Sequence, residues 1–382
     1  MAFFDTLLSA FKGGDQNRVP LASGQLRDWR PTFEGPAPYN YETAVAEAFL
    51  ANPIAQRAVR IVAEGVGQAP VVIADPKIAA LTQATSAGQS LIETLASNLL
   101  LHGNAFVQII KDASGVPIEL FALRPDRVSV RSGSDGWPYA YDYRIAGNQL
   151  TIPVEDEDGW PNVVHIKTLH PLDDHLGASS MAAAHQAVAI HNAASKWNRS
   201  LLENAARPSG ALVFDAGDST GLTRDQFERL KGELEAAFSG TANAGRPMLL
   251  EGGLKWQRMA MSPADMDFAT LKSSAAREIA LAFGVPPMLL GLPGDNTYSN
   301  YREANRALWR LTLLPLAEKI FKALTEGLSP WFADARIVVD LDQITALSED
   351  RERLWKQVSD ADFLTREEKR EMLGVQSSGA SA

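Results

Sequence analysis

The stretch from Ala178 to Ala206 reads ASSMAAAHQAVAIHNAASKWNRSLLENAA, with no glycine and no proline. No other feature constrains the fold as much, because a helix of about 28 residues is ~42 Å long at ~1.5 Å per residue. Its alanines and serines let another helix approach closely. One reading is a single long helix in the core of a monomer. The other is a helix packed tightly against further helices.

The residues that follow make a compact insert. ARPSGALVF reads as a strand, and Thr223 with Gln226 forms a capping-box start to a helix ending near Phe238. GRPMLLEGG and LKWQRM read as two short strands. Ser262-Pro263 then opens a second helix, with an N-cap serine and proline at the first helical position, running to Gly284. The helices 178–206 and 263–284 thus bracket a small αβ module. After them, GVPPMLLGLPGDNTYSNYRE (284–303) holds three prolines, three glycines and the polar run Asp295 to Asn300. A third long helix follows from Ser299 to Gly327, in which Pro315 predicts a kink.

Upstream, residues 13–40 are rich in Gly, Pro, Asp and Asn without a period, as in a linker or extended arm. Apolar spacing predicts two short helices between Glu42 and Gly65, split at Pro53, and another from Ser90 to Leu101 closed by His102-Gly103. The period then falls to two. NAFVQIIKD, IELFALRP, RVSVRSG, YAYDYRI, QLTIPV and NVVHIKTL all read as strands, with turns at Ser114-Gly115 and Gly147-Asn148. Residues 40–170 therefore form an α+β domain with a mostly antiparallel sheet. ARIVVDLD is a late strand that must return to a sheet, most simply that of this domain. Two short charged helices follow, the second opened by a Thr365-to-Glu368 box, and the tail SSGASA is expected to be disordered.

Composition narrows the function. The chain has 382 residues, no cysteine and a net charge of −10. Disulfides and thiolate metal sites are excluded, and tight duplex binding, which goes with a basic patch, has no support. No apolar run reaches the ~18 residues of a membrane helix. The N-terminal MAFFDTLLSAFKGG lacks a basic start and reads as a short amphipathic helix rather than a signal peptide. There is no GxxxxGK[ST], no GxGxxG after a strand and no GxSxG elbow. No enzyme activity and no cofactor are therefore expected. Five of the six histidines fall between His165 and His191, with Asp173 and Asp174 among them. A metal site could use that set, but His185 and His191 lie ~240° apart around a helix. Surface or capping histidines are the expectation. EDED at 155–158 reads as a solvated turn.

Four phrases in order carry a resemblance: NAARPSGALV, AGRPMLLEGGLKWQRMAMSPADMDF, REIALAFGVPPMLLG and NTYSNYREANRALWRLTLLP. They resemble portal proteins of long-tailed bacteriophages, a family that includes prophage and gene transfer agent portals. HGNAFVQII, LRPDRVSV and LGASSM fit as well, so the resemblance covers roughly residues 40–345. It implies an α+β portal fold assembled as a ring, usually dodecameric, at one capsid vertex. On it the regions map as an arm (1–39), wing (40–175), first stem helix (176–206), clip (207–262) and second stem helix (263–284). A tunnel loop and helix (285–329), a strand returning to the wing (330–345) and a small crown with tail (346–382) complete the chain. The implied partners are further copies of the chain, the large terminase, the head–tail adaptor, the major capsid protein and double-stranded DNA passing without tight binding; no membrane is involved. The implied locations are the virion vertex and, during assembly, the bacterial cytoplasm.

The resemblance also implies roles for single residues. Asp295, Asn296, Thr297, Tyr298, Ser299 and Asn300 would form the tunnel loop at the narrowest point of the channel. Lys272 and Arg277 would pair with acids of the next subunit or line the channel. Trp256 and Phe227 read as clip core, and Trp309 and Phe321 as core of the ring. Two other classes compete: a metal-dependent hydrolase built on the His165–His191 cluster, and a monomeric αβ scaffold that binds another protein.

Overall fold

The computed structural model describes residues 21, 40–203, 210–214, 223–225, 227–229, 231–232, 254–258, 268–294, 297–333 and 335–373. The chain divides into two compact units, residues 1–184 with 280–382, and residues 185–279. The N-terminal helix and linker, most of the insert with the Trp256 side chain, the Ser262-Pro263 cap, Asp295, Asn296 and the tail lie outside the described residues.

The first unit opens with helix α1 (Tyr41–Val45), whose N-cap Asn40 accepts from the Thr43 amide at 3.2 Å. It continues as a π-helical turn, Ala46–Leu50. Helix α2 (Pro53–Gly67) starts afresh, because buried Asn52 accepts from the amides of Ile54 and Ala55, both at 3.0 Å. Pro53 in its first turn gives up an N–H that had no partner there anyway. Strand β1 (Val71–Ile73), helix α3 (Pro76–Thr82) and the short strands β2 (Thr85–Ser86) and β3 (Gln89–Ser90) come next. Helix α4 (Leu91–His102) is capped by Ser90 and ended by Gly103, at φ 82°, a left-handed position that suits glycine.

Two antiparallel sheets follow. Strands β4 (Asn104–Lys111), β5 (Pro117–Leu123) and β9 (Val163–Lys167) pair in the order β5-β4-β9. Strands β6 (Val128–Ser132), β7 (Pro138–Ile145) and β8 (Asn148–Pro153) pair in the order β6-β7-β8. Alternate residues of both sheets share one core: Phe106, Leu123, Tyr141, Tyr143, Ile152 and Val163. The β7–β8 turn sits at Ala146-Gly147, both with positive φ, one residue earlier than expected.

The EDED turn is more than solvated charge. The Asp156 carboxylate takes Lys111 Nζ at 2.5 Å and the amides of Asp158 and Trp160. The Lys111 side chain, first of all, together with those amides holds the Asp156 carboxyl below the usual carboxylate range. The same lysine lies over the Trp331 ring, whose indole N–H donates to the Gly115 carbonyl at 2.7 Å. The C-terminal part of the unit is thereby tied to the β4–β5 turn.

In the second unit, helix α5 (Ser180–Glu203), which begins in the first unit, runs 24 residues, and strand β10 (Gly210–Phe214) pairs antiparallel with β11 (Leu254–Arg258). Residues 224, 225, 227–229, 231 and 232 are helical. Phe227 is 55% exposed, which corrects its reading as core: nothing among the described residues covers it. Helix α6 (Phe268–Ala282) ends in the first unit. Buried apolar residues, mostly alanine, line both helices, Ala184, Ala187, Val188 and Ala194 on α5 and Ala275, Ala276 and Ile279 on α6.

Helix α7 (Tyr298–Leu308), a π-helical stretch Trp309–Leu313 and helix α8 (Leu314–Leu328) form the third helical run. The expected kink at Pro315 takes the form of that π stretch. Proline has no N–H for the carbonyl four residues back, so the ladder shifts register before it. Phe321 is buried with Ala317, Ile320 and Leu324, inside the chain's own core, and Trp309 is half-buried. Strand β12 (Ile337–Val339) pairs antiparallel with β1 in a ladder of its own rather than with either larger sheet. Helices α9 (Ser348–Ser359) and α10 (Arg366–Met372) close the unit, and Thr365 and Glu368 form the expected reciprocal capping box.

Candidate functional site: the loop between α6 and α7

Glycines, rather than the prolines alone, turn the chain out of α6. Gly284 has φ 66°, its carbonyl accepts from Thr312 Oγ1 at 2.7 Å, and a Cβ placed there would collide with the same hydroxyl. Pro286 and Pro287 then start a 3-10 turn, Pro287–Leu290, ended by Gly291 at φ 73°. Leu292 is buried and pins the loop to the unit.

The polar run is shorter as a loop than its sequence suggests. Thr297 is the N-cap of α7, and its hydroxyl accepts from the Asn300 amide at 3.2 Å. Tyr298, Ser299 and Asn300 are the first helical turn, all exposed, Tyr298 by 80%. Tyr301 is 53% exposed, and the Arg302 guanidinium lies 5.9 Å from the Tyr298 ring centroid.

Sequence reasoning missed what holds this turn in place. Arg302, Arg306 and Arg310 recur every fourth residue and meet Glu349 and Asp350 of α9. Arg302 and Arg306 each reach a Glu349 oxygen at 2.7 Å. Arg306 also lies 3.7 Å from Asp350, and Arg310 lies 4.0 Å from it. The i, i+4, i+8 spacing of the arginines was visible in the sequence, but their partners sit 40 or more positions away.

Lys272 and Arg277 are on α6, the first half-buried and the second exposed. Burial, then the charge of Lys272, pushes the His191 imidazole below its ordinary range, which puts Lys272 on the side of α6 towards α5. The Trp197 and Phe268 rings, 5.8 Å apart, join the same two helices.

The expectation of surface or capping histidines is largely corrected. His175 and His191 are buried, at 6% and 4% exposure. His165 stacks on Phe106 at 4.1 Å between ring centroids and bonds to buried Asn104. His170 shows a turn role, its Nδ1 accepting from the Leu172 amide at 3.1 Å. Strand pairing and apolar packing claim these rings, which a count of histidines along the chain could not reveal. Among the described residues, no group of three or more His, Asp or Glu could hold a metal ion, so the hydrolase alternative has no site there. No helix of the described residues is long and apolar enough to cross a membrane.

The phage portal protein family matches residues 53–374 of the chain. An uncharacterised protein of Rickettsia bellii is 41% identical over 86% of this chain and 88% of its own length. The probable portal protein of Streptomyces phage phiC31 is 30% identical over 68% of this chain and 57% of its own. Among solved structures, a chain of the neck of a native gene transfer agent particle, computed with C12 symmetry, is 44% identical. It matches with a TM-score of 0.68 over 91% of this chain and 96% of that one. A phage portal protein of the HK97 family from Corynebacterium diphtheriae, 16% identical with a TM-score of 0.52 over 76% of this chain and 91% of its own, shares the fold. The α+β architecture, the paired long helices and these matches agree: the chain belongs to the phage portal protein family.

Proposed function

We propose that copies of the chain form a ring, with twelve subunits as the expected number, at one vertex of a capsid, where it connects head to tail and passes DNA. The observation that carries this reading is the 44% identity, over 91% of the chain, to the neck of a particle computed with C12 symmetry. Helices α5 and α6 serve as the stem, and residues 207–262 as the clip. The β-rich segment 40–175 with β12 is the wing, and 346–382 the small crown. Exposed small residues on both stem helices, Ala182, Ala183, Ala189 and Ala193 on α5 and Ala269 and Ser274 on α6, support close packing around a ring.

The segment Asp295 to Asn300 acts as the tunnel loop. Exposed Tyr298, Ser299 and Asn300 offer polar atoms without a cationic grip, and Arg302 and Arg306 nearby are engaged by Glu349. Each phosphate neutralised by Lys or Arg would add affinity through counterion release, which a sliding channel must avoid. Lys272 and Arg277 make stem contacts. The ring is structural, and ATP hydrolysis for packaging falls to a separate large terminase docked on the clip. The head–tail adaptor and major capsid protein are its other partners, with assembly in the bacterial cytoplasm and residence in the virion. Identity of 44% to a gene transfer agent chain, against 30% to a phage portal, favours a particle of the former kind.

Deleting Gly294 to Ser299 tests the loop. Rings should still assemble while packaged DNA falls, read as nuclease-protected DNA per particle. Loss of the ring would make the segment structural, and full DNA content would remove its channel role.

A further inference from the structure

The start of helix α5 is fastened to the β-sheet through one buried side chain. Asn104, 1% exposed, opens β4 beside Gly103. Its Oδ1 accepts from the Gly177 amide at 2.8 Å, and its Nδ2 donates to the Gly177 carbonyl at 3.3 Å. The side-chain amide thus pairs with one residue's backbone as a second strand would. Thr168 adds to the same joint, its amide donating to the Gly103 carbonyl at 3.0 Å and its Oγ1 hydroxyl to the Ala178 carbonyl. Gly177 must be glycine here, since a Cβ would strike the Gly103 carbonyl.

These backbone partners fix which way the amide points, and so fix the protons of two histidines. Oδ1 also faces His165 Nε2 at 3.0 Å, so that nitrogen carries the proton. Nδ2 also faces His102 Nδ1 at 3.1 Å, so that nitrogen must be a bare acceptor. A proton on His102 Nδ1 would set one donor against another. Flipping the Asn104 amide relieves that clash only by breaking both Gly177 bonds and facing the His165 N–H with a second donor. Nδ2 also lies 3.3 Å from the His102 carbonyl, so its two protons are shared among three acceptors, and the neutral His102 with a bare Nδ1 is the form in which no donor faces a donor. His175, two residues before Gly177, is buried with its Nε2 unpartnered among the described residues.

We propose that Asn104 is an acid-labile pin: protonation of His102 releases Gly177 and loosens the entry to helix α5 while the sheets stay folded. The charges around it act in opposite senses. Asp126 favours the His102 cation, whereas burial opposes it and lowers its pKa. Lys167 and neighbouring His102 and His175 disfavour a charge on His165 beyond what burial already does. The rings of Tyr41, against His102, and Tyr141, against His165, complete the surroundings. His102 is thus the member that accepts a proton first.

Amide hydrogen exchange on the full chain, corrected for intrinsic rates, tests this. Between about pH 7.5 and pH 5, the range of histidine titration, exchange at Gly177 and Ala178 should rise about tenfold while β4 and β9 stay protected. In His102→Gln, whose carbonyl oxygen can accept from Asn104 at any pH, that rise should vanish. Flat exchange in the wild type, or an undiminished rise in His102→Gln, overturns the proposal. Nitrogen chemical shifts of His102 in the wild type give a second measure independent of the variant's folding. A bare Nδ1 at neutral pH supports the pin, and a protonated Nδ1 overturns it.

Discussion

Two joints of the same unit hold distant segments by opposite physics. At Asn104 the bonds are buried and between neutral groups, and every donor there has a defined acceptor. Along α7 the bonds are ion pairs, with Arg302 and Glu349 side chains each about half exposed. Buried neutral bonds cost much when one partner is removed, because the other is left without water. Exposed ion pairs cost little and weaken with salt. The first joint fixes where a long helix starts; the second fastens the helix after the loop with pairs that each contribute little. The contrast follows from where each is placed, one buried at the start of a sheet strand and one at the surface.

The comparison predicts unequal responses. Asn104→Ala should have the largest effect, about 3–9 kcal/mol of stability. It strands the Gly177 N–H and C=O and the His165 N–H at about 1–3 kcal/mol each, measurable by chemical denaturation. A loss below about 1 kcal/mol would mean water replaces the amide.

Acid comes next. Burial, with Lys167 adding to it, holds His165 at about 3, below its ordinary 6.5. The folded state keeps it neutral while the unfolded chain takes up a proton, so its contribution is intact above pH 6.5 and lost as pH falls towards 3. The slope is about 1.4 kcal/mol per pH unit, checked by denaturation midpoints across that range. In His165→Gln that part of the slope should disappear.

The ladder should give less. Glu349→Gln with Asp350→Asn should cost about 1–2 kcal/mol at low salt and less at high salt, with faster exchange confined to α7 and α9. An effect as large as that of Asn104→Ala would erase the distinction between the joints. The smallest change is expected for Thr297→Ala, about 1 kcal/mol from a lost helix cap. It should appear as fraying at Tyr298 to Tyr301 by amide exchange.

Local pattern made most elements legible. The strand alternation from Asn104 to Lys167 and the cap at Thr365 follow rules of short range, and the structure shows them within a residue or two. What escaped depends on distance. Val71–Ile73 is too short to announce itself and is a strand only because Ile337–Val339 lies beside it. Asn104 looked like the first residue of a strand, and its partner Gly177 is 73 positions on. The polar run before α7 looked like loop throughout, yet the Thr297 hydroxyl makes a helix of its second half. The histidines drew attention as a cluster in sequence, while sheet register buried His165 against Phe106.

A ring built on α5 and α6 would be visible by electron microscopy of the purified chain, repeated on native particles. The expected image is a closed ring, with the twelvefold symmetry with which the related neck was computed, around a hole that admits a duplex of about 20 Å, judged from groove dimensions. A monomer in native particles, with α5 buried in the chain's own core, would contradict it.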